Sequence, residues 1–455
     1  MKNKKIVLIP VETISRELDF KITLGHEIAN KDTVCIIGQH NYLNKLFKHF
    51  DGGIYLGKNV FPDFLPCRLD YFEDLKRNKF SLYYYHEEGG VFKGDEADWR
   101  LTLSRQIDPS LLDENDYILC WGAFQKEFYL QSNPKCNIEN VGVGRLDLSE
   151  NDSLRTLVQN FSNVQLSNFI LINTNFAVMN HYLGLSEMLN FFSFKSSDNY
   201  DAYESYLLWY SEVMKIMGSF LELIVKLAST YPNETFVLRP HPTESMVVYE
   251  YFAKNYKNII VTKSSTSHDW INKCKAIIHN GCTTSLEAYF MKKPVLNYIP
   301  FENEHSVKIL EDIGYRAKNF EQVNYFIQNL DKYDYSSQDL TSSNASRLIN
   351  NFNQNTNSTQ KIKNLVLNGL KSKAPNDINL SKLKLIYYKS YLRNCLALLP
   401  RKFFPSKQEA YKMHKSHFNG LDKKYIEERV TLLNNKKKSS TKLNILNDEL
   451  FLLGG

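Results

Sequence analysis

Short apolar segments alternate with longer polar stretches over the first 300 residues, and this alternation limits the folds that the chain can adopt. The first five segments are residues 5–11, 33–38, 80–85, 117–122 and 138–144, and the second five are 169–175, 235–242, 258–263, 276–281 and 294–300. Strands separated by helical stretches are typical of parallel sheets covered on both faces. The polar segment 149–168 separates the two series. The pattern therefore predicts an α/β fold with two Rossmann-like domains facing each other.

The predicted domains are residues 1–155 and 156–335, followed by a helical, basic extension over 336–455. Residues 371–455 contain 18 basic and 7 acidic residues, a balance of +11, although the whole chain carries only +6. Such a tail favours contact with anionic lipid or another polyanion, and a solvated helical surface is the alternative. Within it, residues 383–405 interleave leucines and aromatics with basic residues. This suits an interfacial helix at the inner membrane face, or a helix packed on the first domain.

Composition excludes several classes of protein. A hydrophobic content of 43% with 23% charged residues is ordinary for a globular protein. The most apolar stretch, residues 210–228, carries four charges and predicts an amphipathic helix instead of a membrane span. Seven scattered cysteines without a CxxC pair argue against a disulfide framework or a zinc site. We expect a cytoplasmic protein without a metal site, and nucleic-acid binding is disfavoured because the body of the chain is acidic.

The segment HEEGG, residues 86–90, directly follows an aromatic strand. A carboxylate at a strand end, followed by glycines that allow a sharp turn, is one way to present a general base in a cleft. Adjacent carboxylates in a partly dry site would raise each other's pKa. Glu87 and Glu88 are therefore candidate catalytic residues. The alternative is an acidic pair that stabilises a helix N-terminus.

Other polar residues at strand ends could line a substrate cleft or cap helices. The candidates are Glu12, Arg16, Arg145, Asn173 and Asn175. In the second series, LRPHPTES places Arg239 and His241 around a proline that restricts the backbone. A histidine and an arginine there can clamp a phosphate. The alternative for the histidine is a buried structural role.

Residues 277–298 contain a second candidate anion site. An apolar strand ends at Asn280 and Gly281, and three hydroxyl residues then open a helix: Thr283, Thr284 and Ser285. Helix N-terminal amides with hydroxyls bind anions, although plain N-capping is the alternative. Glu287 lies on the same helix, where it could bind a ribose, and Ser264 and Ser265 follow the neighbouring strand. The chain contains no GxxxxGK[ST], GxSxG or HExxH motif, and no apolar strand runs into a DxD pair.

Taken in order, these motifs resemble those of the GT-B bacterial sialyltransferases and polysialyltransferases. The hallmarks of that group are a (D/E)(D/E)G motif, an HP motif and a Ser/Thr motif, which here are Glu87-Glu88-Gly89, His241-Pro242 and Thr283-Thr284-Ser285. Residues 5–330 more closely resemble the surface carbohydrate biosynthesis proteins, which are transferases of ulosonic acids such as Kdo, pseudaminic, legionaminic or sialic acid in capsule and lipopolysaccharide synthesis. The segments that carry this likeness are LIPVETISRELDFK, HEEGG, CWGAFQKEF, VGVGRLDL and ILINTNFA.

The resemblance implies a GT-B glycosyltransferase with an N-terminal acceptor domain and a C-terminal donor domain. It implies a CMP-activated ulosonic acid as donor, a glycan or lipid-linked glycan as acceptor, and an inverting transfer without metal or other cofactor. Glu87 or Glu88 would deprotonate the acceptor, and His241 would bind or protonate the departing phosphate. The Thr283–Ser285 turn would hold that phosphate, and Glu287 the ribose or base. Two alternatives stay open: a UDP-sugar or CDP-glycerol type donor, and a non-catalytic polysaccharide assembly protein.

Overall fold

The computed structural model describes most of the chain as two compact units. The described residues are 1–58, 60, 69–150, 164–184, 200–302, 304, 306–333, 340, 344–353, 357–403 and 420–455. The first unit comprises Met1–Gly90, Arg100–Phe161 and Leu340–Gly455, and the second comprises Val91–Trp99 and Ser162–Asp339. The C-terminal residues Leu340–Gly455 thus belong to the first unit.

The regular elements of the described residues are numbered in chain order. The strands are β1 (Lys5–Val11), β2 (Thr33–Gln39), β3 (Gly53–Leu56), β4 (Phe80–Tyr85), β5 (Tyr117–Cys120), β6 (Asn137–Asn140), β7 (Ile170–Asn173), β8 (Phe236–Arg239), β9 (Ile259–Val261), β10 (Ala276–His279), β11 (Val295–Tyr298), β12 (Tyr315–Ala317), β13 (Lys442–Ile445) and β14 (Leu450–Gly454). The helices are α1 (Ile14–Ile28), α2 (His40–Leu43), α3 (Leu69–Arg77), α4 (Glu96–Gln106), α5 (Ala123–Leu130), α6 (Gly144–Glu150), α7 (Tyr200–Thr230), α8 (Val247–Asn255), α9 (Ser267–Lys273), α10 (Thr284–Phe290), α11 (Lys308–Glu311), α12 (Phe320–Gln328), α13 (Asn344–Leu348), α14 (Ser358–Gly369), α15 (Leu380–Phe403) and α16 (Lys423–Lys437). Short 3-10 helices span Asn44–His49, Pro109–Leu111, Leu330–Lys332, Asn350–Phe352 and Leu370–Ser372.

The first unit contains an eight-stranded sheet in the order β13-β14-β2-β1-β3-β4-β5-β6. Strands β1 to β6 pair in parallel, whereas β14 runs antiparallel to both β2 and β13. Every residue of β2 and six of the seven residues of β1 are buried, as expected for central strands covered on both faces. The strand order reverses between β1 and β3, so polar residues after these strands meet at one edge.

The second unit contains a six-stranded, fully parallel sheet in the order β12-β11-β10-β7-β8-β9. Counted from its own first strand, this is the order 3-2-1-4-5-6 of dinucleotide-binding folds. The reversal lies between β7 and β10, and ligands of such sheets bind beyond the carboxyl ends of the strands at that point. Helix α7 contributes Phe220, Leu223 and Leu227 to the buried core beside this sheet, and it contains the predicted helix 210–228.

The prediction of two Rossmann-like α/β units is confirmed, and each of the ten predicted segments overlaps a strand of one of the two sheets. Four short strands were not predicted: β3, β12, β13 and β14. Strand β3 has only four residues with glycines on either side, and β14 is an apolar run in a lysine-rich tail. In both cases the surrounding composition hides the strand.

The C-terminal segment is tied to the first unit through α1 and β2. On α1, Asp19 Oδ1 accepts hydrogen bonds from Tyr425 Oη at 2.6 Å and from Arg429 Nε at 3.1 Å, both on α16. Strand β14 extends the sheet, with Leu450 opposite Gly38 of β2. Among the described residues, none of the helices combines the length and the hydropathy needed to span a bilayer.

Candidate functional site

The carboxyl ends of β1, β3 and β4 bring a group of charged side chains together in the first unit. Glu12 follows β1 and Lys58 lies two residues after β3, and Lys58 Nζ is 3.1 Å from Glu12 Oε2. Burial raises the pKa of Glu12, but attraction to Lys58 outweighs it and the pKa falls to about 2. Glu12 is therefore an ionised partner of Lys58 at neutral pH, and such a carboxylate is a poor general base.

Glu87 and Glu88 of the HEEGG turn lie in different surroundings. The Glu87 side chain is 5% exposed and forms an ion pair with Lys21 of α1, which is buried as well. The Glu88 side chain is 50% exposed and forms an ion pair with Arg16 of the same helix. Only Glu88 can reach a substrate from this turn without breaking a buried ion pair. The geometry therefore favours Glu88 over Glu87 as the candidate base.

The pKa of Glu88 is lowered, contrary to the expectation that the two adjacent carboxylates would raise it. Burial acts to raise this pKa, but attraction to Arg16, Lys58 and Arg145 outweighs burial. The expectation was wrong because it considered the neighbouring carboxylate without the three cations. Glu17 is a carboxylate of this cluster whose pKa is raised, first by burial and second by repulsion from Glu87.

Two side chains of the segment after β5 hold the HEEGG turn in place. Trp121 Nε1 donates to the carbonyl of His86 at 2.9 Å, and Gln125 Nε2 donates to the carbonyl of Gly89 at 3.2 Å. A Cβ atom at Gly90 would lie 2.6 Å from the Trp121 ring. Gly90 is therefore required for close packing against the indole. These contacts join the segments CWGAFQKEF and HEEGG in the fold.

Arg145 belongs to the same charged cluster, since attraction to it helps to lower the pKa of Glu88. It is buried at the start of α6, and its Cζ is 6.0 Å from the centroid of the Trp121 ring. The sequence predicted Arg16 and Arg145 in the cleft but missed Lys21 and Lys58. Lys21 lies on α1, where the sequence has the ordinary pattern of an amphipathic helix. No sequence signal therefore marks it as part of a site.

Four polar side chains form a row across the second sheet near the carboxyl ends of its strands. The row runs Asn297, His279, Asn173, Arg239 over β11, β10, β7 and β8, and each residue is in register with the next. Because side chains alternate between the faces of a sheet, residues in register project from the same face. We call these four residues the polar row. It crosses the strand reversal between β7 and β10.

Each residue of the polar row has a buried polar atom without a hydrogen-bond partner among the described residues. These atoms are Asn297 Oδ1, His279 Nε2, Asn173 Oδ1 and Arg239 Nε. An unsatisfied buried polar group costs about 1–3 kcal/mol, so four of them in one row require an explanation. A bound ligand or ordered water that completes their hydrogen bonding is the usual one.

The remaining polar atoms of the row attach the strand ends to the following loops. Asn173 Nδ2 donates to Thr284 Oγ1 at 2.7 Å. Arg239 Nη2 donates to the carbonyls of Ser265 at 3.0 Å and Ser264 at 3.3 Å, and burial lowers the pKa of Arg239 to about 10. Arg239, predicted as a phosphate clamp, thus remains charged at neutral pH while it holds the loop after β9.

His279 is a neutral member of the row. Its Nδ1 accepts from the amides of Gly281 at 3.1 Å and Cys282 at 3.2 Å, and burial lowers its pKa to about 3. The ring therefore carries its proton on Nε2, the atom without a partner among the described residues. Gly281 itself has a φ of +76°, a conformation that favours glycine.

His241 lies half-buried in the turn after β8, next to the exposed Pro242. Its Nδ1 is 2.9 Å from Thr243 Oγ1 and accepts from the Thr243 amide at 3.3 Å. Because Nδ1 accepts this hydrogen bond, Nε2 is the ring nitrogen that carries a proton and can donate to an anion. Lys263 Nζ donates to the Pro242 carbonyl at 2.9 Å and so fixes the turn from the neighbouring strand.

A buried carboxylate, Glu244, holds the backbone on either side of this turn. Its Oε1 accepts from the amide of His241 at 3.2 Å and from Thr174 Oγ1 at 2.9 Å, and its Oε2 accepts from Tyr249 Oη at 2.6 Å. Glu244 therefore connects the ends of β7 and β8. Glu244 lies within the segment LRPHPTES, but the sequence predicts no role for it because a glutamate in a turn gives no sign of burial.

The Ser/Thr segment is divided between structural and accessible residues. Ser285 is buried and donates to the Cys282 carbonyl at 2.8 Å, and Glu287 Oε2 accepts from Ser267 Oγ at 2.8 Å. Both side chains are thus engaged within the fold. Thr283, Thr284 and Asn280 are half-buried. The amide of Asn175 donates to Asn280 Oδ1 at 2.8 Å, which joins the loops after β7 and β10.

Comparison with known proteins identifies no family for the chain. No family model matches it, and no curated protein matches it by sequence.

Several solved structures resemble the chain at low identity. A UDP-GlcNAc 2-epimerase from Methanocaldococcus jannaschii, in complex with UDP-GlcNAc and UDP, matches with a TM-score of 0.46 and 14% identity over 80% of this chain and 99% of that one. The wall teichoic acid polymerase TagF matches with a TM-score of 0.46 and 12% identity over 82% and 90%. S. aureus MnaA with UDP matches with a TM-score of 0.44 and 12% identity over 83% and 100%. None of these likenesses is close enough to indicate function.

Proposed function

We propose that the chain is a glycosyltransferase that moves a CMP-activated ulosonic acid onto a bacterial surface-glycan acceptor. The proposal follows the motif resemblance to the surface carbohydrate biosynthesis proteins and implies a GT-B enzyme that inverts configuration without a metal. The single observation that carries it is the half-exposed carboxylate of Glu88 beside Arg16, in a cluster whose other HEEGG carboxylate is buried. An accessible carboxylate at a strand end is what a hydroxyl nucleophile requires.

In this reaction the acceptor oxygen bonds to the anomeric carbon of the donor as the bond from that carbon to the phosphate oxygen breaks. Glu88 takes the proton of the acceptor hydroxyl, and CMP leaves with the electron pair of the broken bond. The lowered pKa keeps Glu88 ionised at neutral pH but makes it a weaker base, so its assignment as the base rests on its exposure at the strand end and not on its pKa. Arg16 then also stabilises its charge before the reaction.

The second unit would bind the nucleotide and its departing phosphate. His241 would donate from Nε2 to a phosphate oxygen, because Thr243 occupies its other ring nitrogen. The unsatisfied atoms of the polar row support a ligand at the reversal between β7 and β10. Asn280 and Thr283 would offer further donors there. Such preorganised donors stabilise charge as it develops on a leaving group.

The proposal includes a glycan or lipid-linked glycan as acceptor and a cytoplasmic location, with residues 371–455 in peripheral contact with the inner membrane face. A UDP-sugar or CDP-glycerol type donor is the alternative chemistry for the same site. A non-catalytic assembly protein is the alternative without chemistry.

Calorimetric titration with CMP, CDP and UDP, in the presence of a chelator, distinguishes these alternatives. We expect CMP to bind best, and His241→Ala to weaken it by about ten-fold, which is about 1.4 kcal/mol. His49→Ala, a change at an exposed histidine of the first unit, serves as the control and should leave binding unchanged. Preference for UDP or CDP would favour the alternative donors. Absence of nucleotide binding would favour the assembly protein.

A further inference from the structure

The outward face of α15 exposes a stripe of large apolar side chains. Leu385, Tyr388, Leu392 and Leu396 are 54%, 58%, 62% and 59% exposed. Their spacing of three, four and four residues places them on one face of an α-helix. Exposed apolar residues are ordinary when scattered, but a continuous stripe marks an interaction surface. We call these four residues the apolar stripe.

The opposite face of α15 is firmly packed on the first unit. Leu383 and Tyr387 are buried, and Tyr387 Oη donates to Asp448 Oδ1 at 2.9 Å. The Tyr387 ring lies 5.0 Å from that of Tyr42 on α2, and Lys45 donates to Ser390. The helix thus has a buried face of its own, and the apolar stripe takes no part in its packing on the described residues of the first unit.

Basic residues flank the apolar stripe on both sides. At 100° per residue, Lys389 and Arg393 fall on one flank of the stripe and Lys384 on the other. Residues 380–403 contain six lysines or arginines and no aspartate or glutamate. A helix with an apolar strip between rows of basic residues is typical of an interfacial helix on an anionic bilayer. A protein partner with an apolar groove would not require cations on both flanks.

We propose that the apolar stripe inserts into the headgroup region of an anionic lipid bilayer while its flanking cations contact the lipid phosphates. Where it concerns the acceptor, this inference rests on the proposed function. Helix α15 contacts α2, which begins directly after β2. Strands β2 and β4 are three positions apart in the sheet, roughly 14 Å at the usual strand spacing. The bilayer would therefore lie on the same edge of the first sheet as Glu88 and present a lipid-linked acceptor there.

Sedimentation of the full chain with vesicles tests this proposal. Vesicles of phosphatidylcholine alone are compared with vesicles that also contain phosphatidylglycerol, at low and at raised salt. The test variant is Leu385→Glu with Leu392→Glu, and the matched control is Leu111→Glu with Leu130→Glu, two residues of similar exposure elsewhere on the first unit. Circular dichroism checks that both variants fold.

We expect the wild type and the control to sediment with phosphatidylglycerol vesicles only, and the α15 variant to bind them at least ten-fold more weakly. Raised salt should weaken the binding of the wild type. Equal binding by both variants, or no binding by the wild type, would overturn the proposal. So would a dimer of the wild type that the α15 variant loses in light scattering, because the stripe would then cover a second copy. The α15 variant is also titrated with CMP, and its CMP affinity should equal that of the wild type. A loss of vesicle binding can then be distinguished from a failure of the proposed function.

Discussion

Glu87 and Glu88 are consecutive residues whose carboxylates have opposite roles: Glu87 is paired with Lys21 inside the first unit, and Glu88 with Arg16 at its surface. The turn after β4 directs one side chain inward and the next outward. One motif thus contributes an internal ion pair and an accessible acid, which explains why both residues of the HEE sequence are charged.

Neutralising each of the two carboxylates should therefore lower the free energy of unfolding by different amounts. Glu87→Gln leaves the buried Lys21 without its counter-charge, and removing one partner of a buried pair typically costs 3–5 kcal/mol, so we expect a loss of about that size. Glu88→Gln acts at a half-exposed pair and should cost less than about 1 kcal/mol. Urea unfolding followed by circular dichroism measures both. Equal losses would contradict the distinction between the two sites.

Removing Arg16 should move the pH dependence of transfer. Arg16 is the main cation that lowers the pKa of Glu88, so Arg16→Gln raises that pKa. Glu88 must be ionised to accept a proton, and the acid limb of the rate profile should therefore shift to higher pH. Arg77→Gln, at an exposed arginine of the same unit, serves as the control. An unshifted acid limb in Arg16→Gln would mean that Glu88 does not limit the rate.

Glu12 should make the free energy of unfolding of the chain depend on pH under acidic conditions. Its pKa falls from 4.5 to about 2 on folding, so its stabilising contribution is complete above pH 4.5 and is lost as the pH falls towards 2. The contribution is on the order of 2–3 kcal/mol. Comparing urea unfolding of the wild type and Glu12→Gln at pH 5.5 and pH 3 measures it. The variant should lose less stability between these pH values than the wild type does.

Glu244 should act on nucleotide binding through His241. Glu244→Gln replaces an acceptor-only carboxylate that takes hydrogen bonds from the His241 amide, Thr174 and Tyr249. We expect weaker CMP binding and a stability loss of about 1–3 kcal/mol. Tyr249→Phe removes one of these bonds without touching the turn, so it should cost about 1 kcal/mol and leave CMP affinity unchanged. If Tyr249→Phe weakened CMP binding as much as Glu244→Gln, the effect would reflect stability alone.

Much of the fold is predictable from the sequence because each long strand is a continuous apolar run between polar helices. Strand β3 was missed because glycines stand on either side of it, and β12 was missed because its three residues include the charged Arg316. The polar residues at the strand ends could also be identified from the sequence, but their partners in the structure could not. Nothing in the sequence pairs Glu87 with Lys21 or Glu12 with Lys58, since these contacts join residues that are distant along the chain.

The polar row illustrates the same limit in the second unit. His279 and Asn173 follow apolar runs and attract notice, whereas Asn297 lies within the predicted strand PVLNYIP and reads as part of it. Only the register of β11 against β10 places it beside His279. Ser285 and Glu287 were predicted as ligand-binding residues from their position at the start of a helix, and the hydrogen bonds of their side chains lie within the fold.

Release of CMP from CMP-activated ulosonic acids measures the proposed transfer itself. The wild type and Glu88→Gln are incubated with CMP-Kdo, CMP-sialic acid or CMP-pseudaminic acid and a glycan acceptor, with a chelator present. We expect acceptor-dependent CMP release by the wild type and a loss of at least 100-fold in Glu88→Gln, the lower range for a general base. Release at the same rate by Glu88→Gln, or no release from any of the donors, would contradict the proposed function.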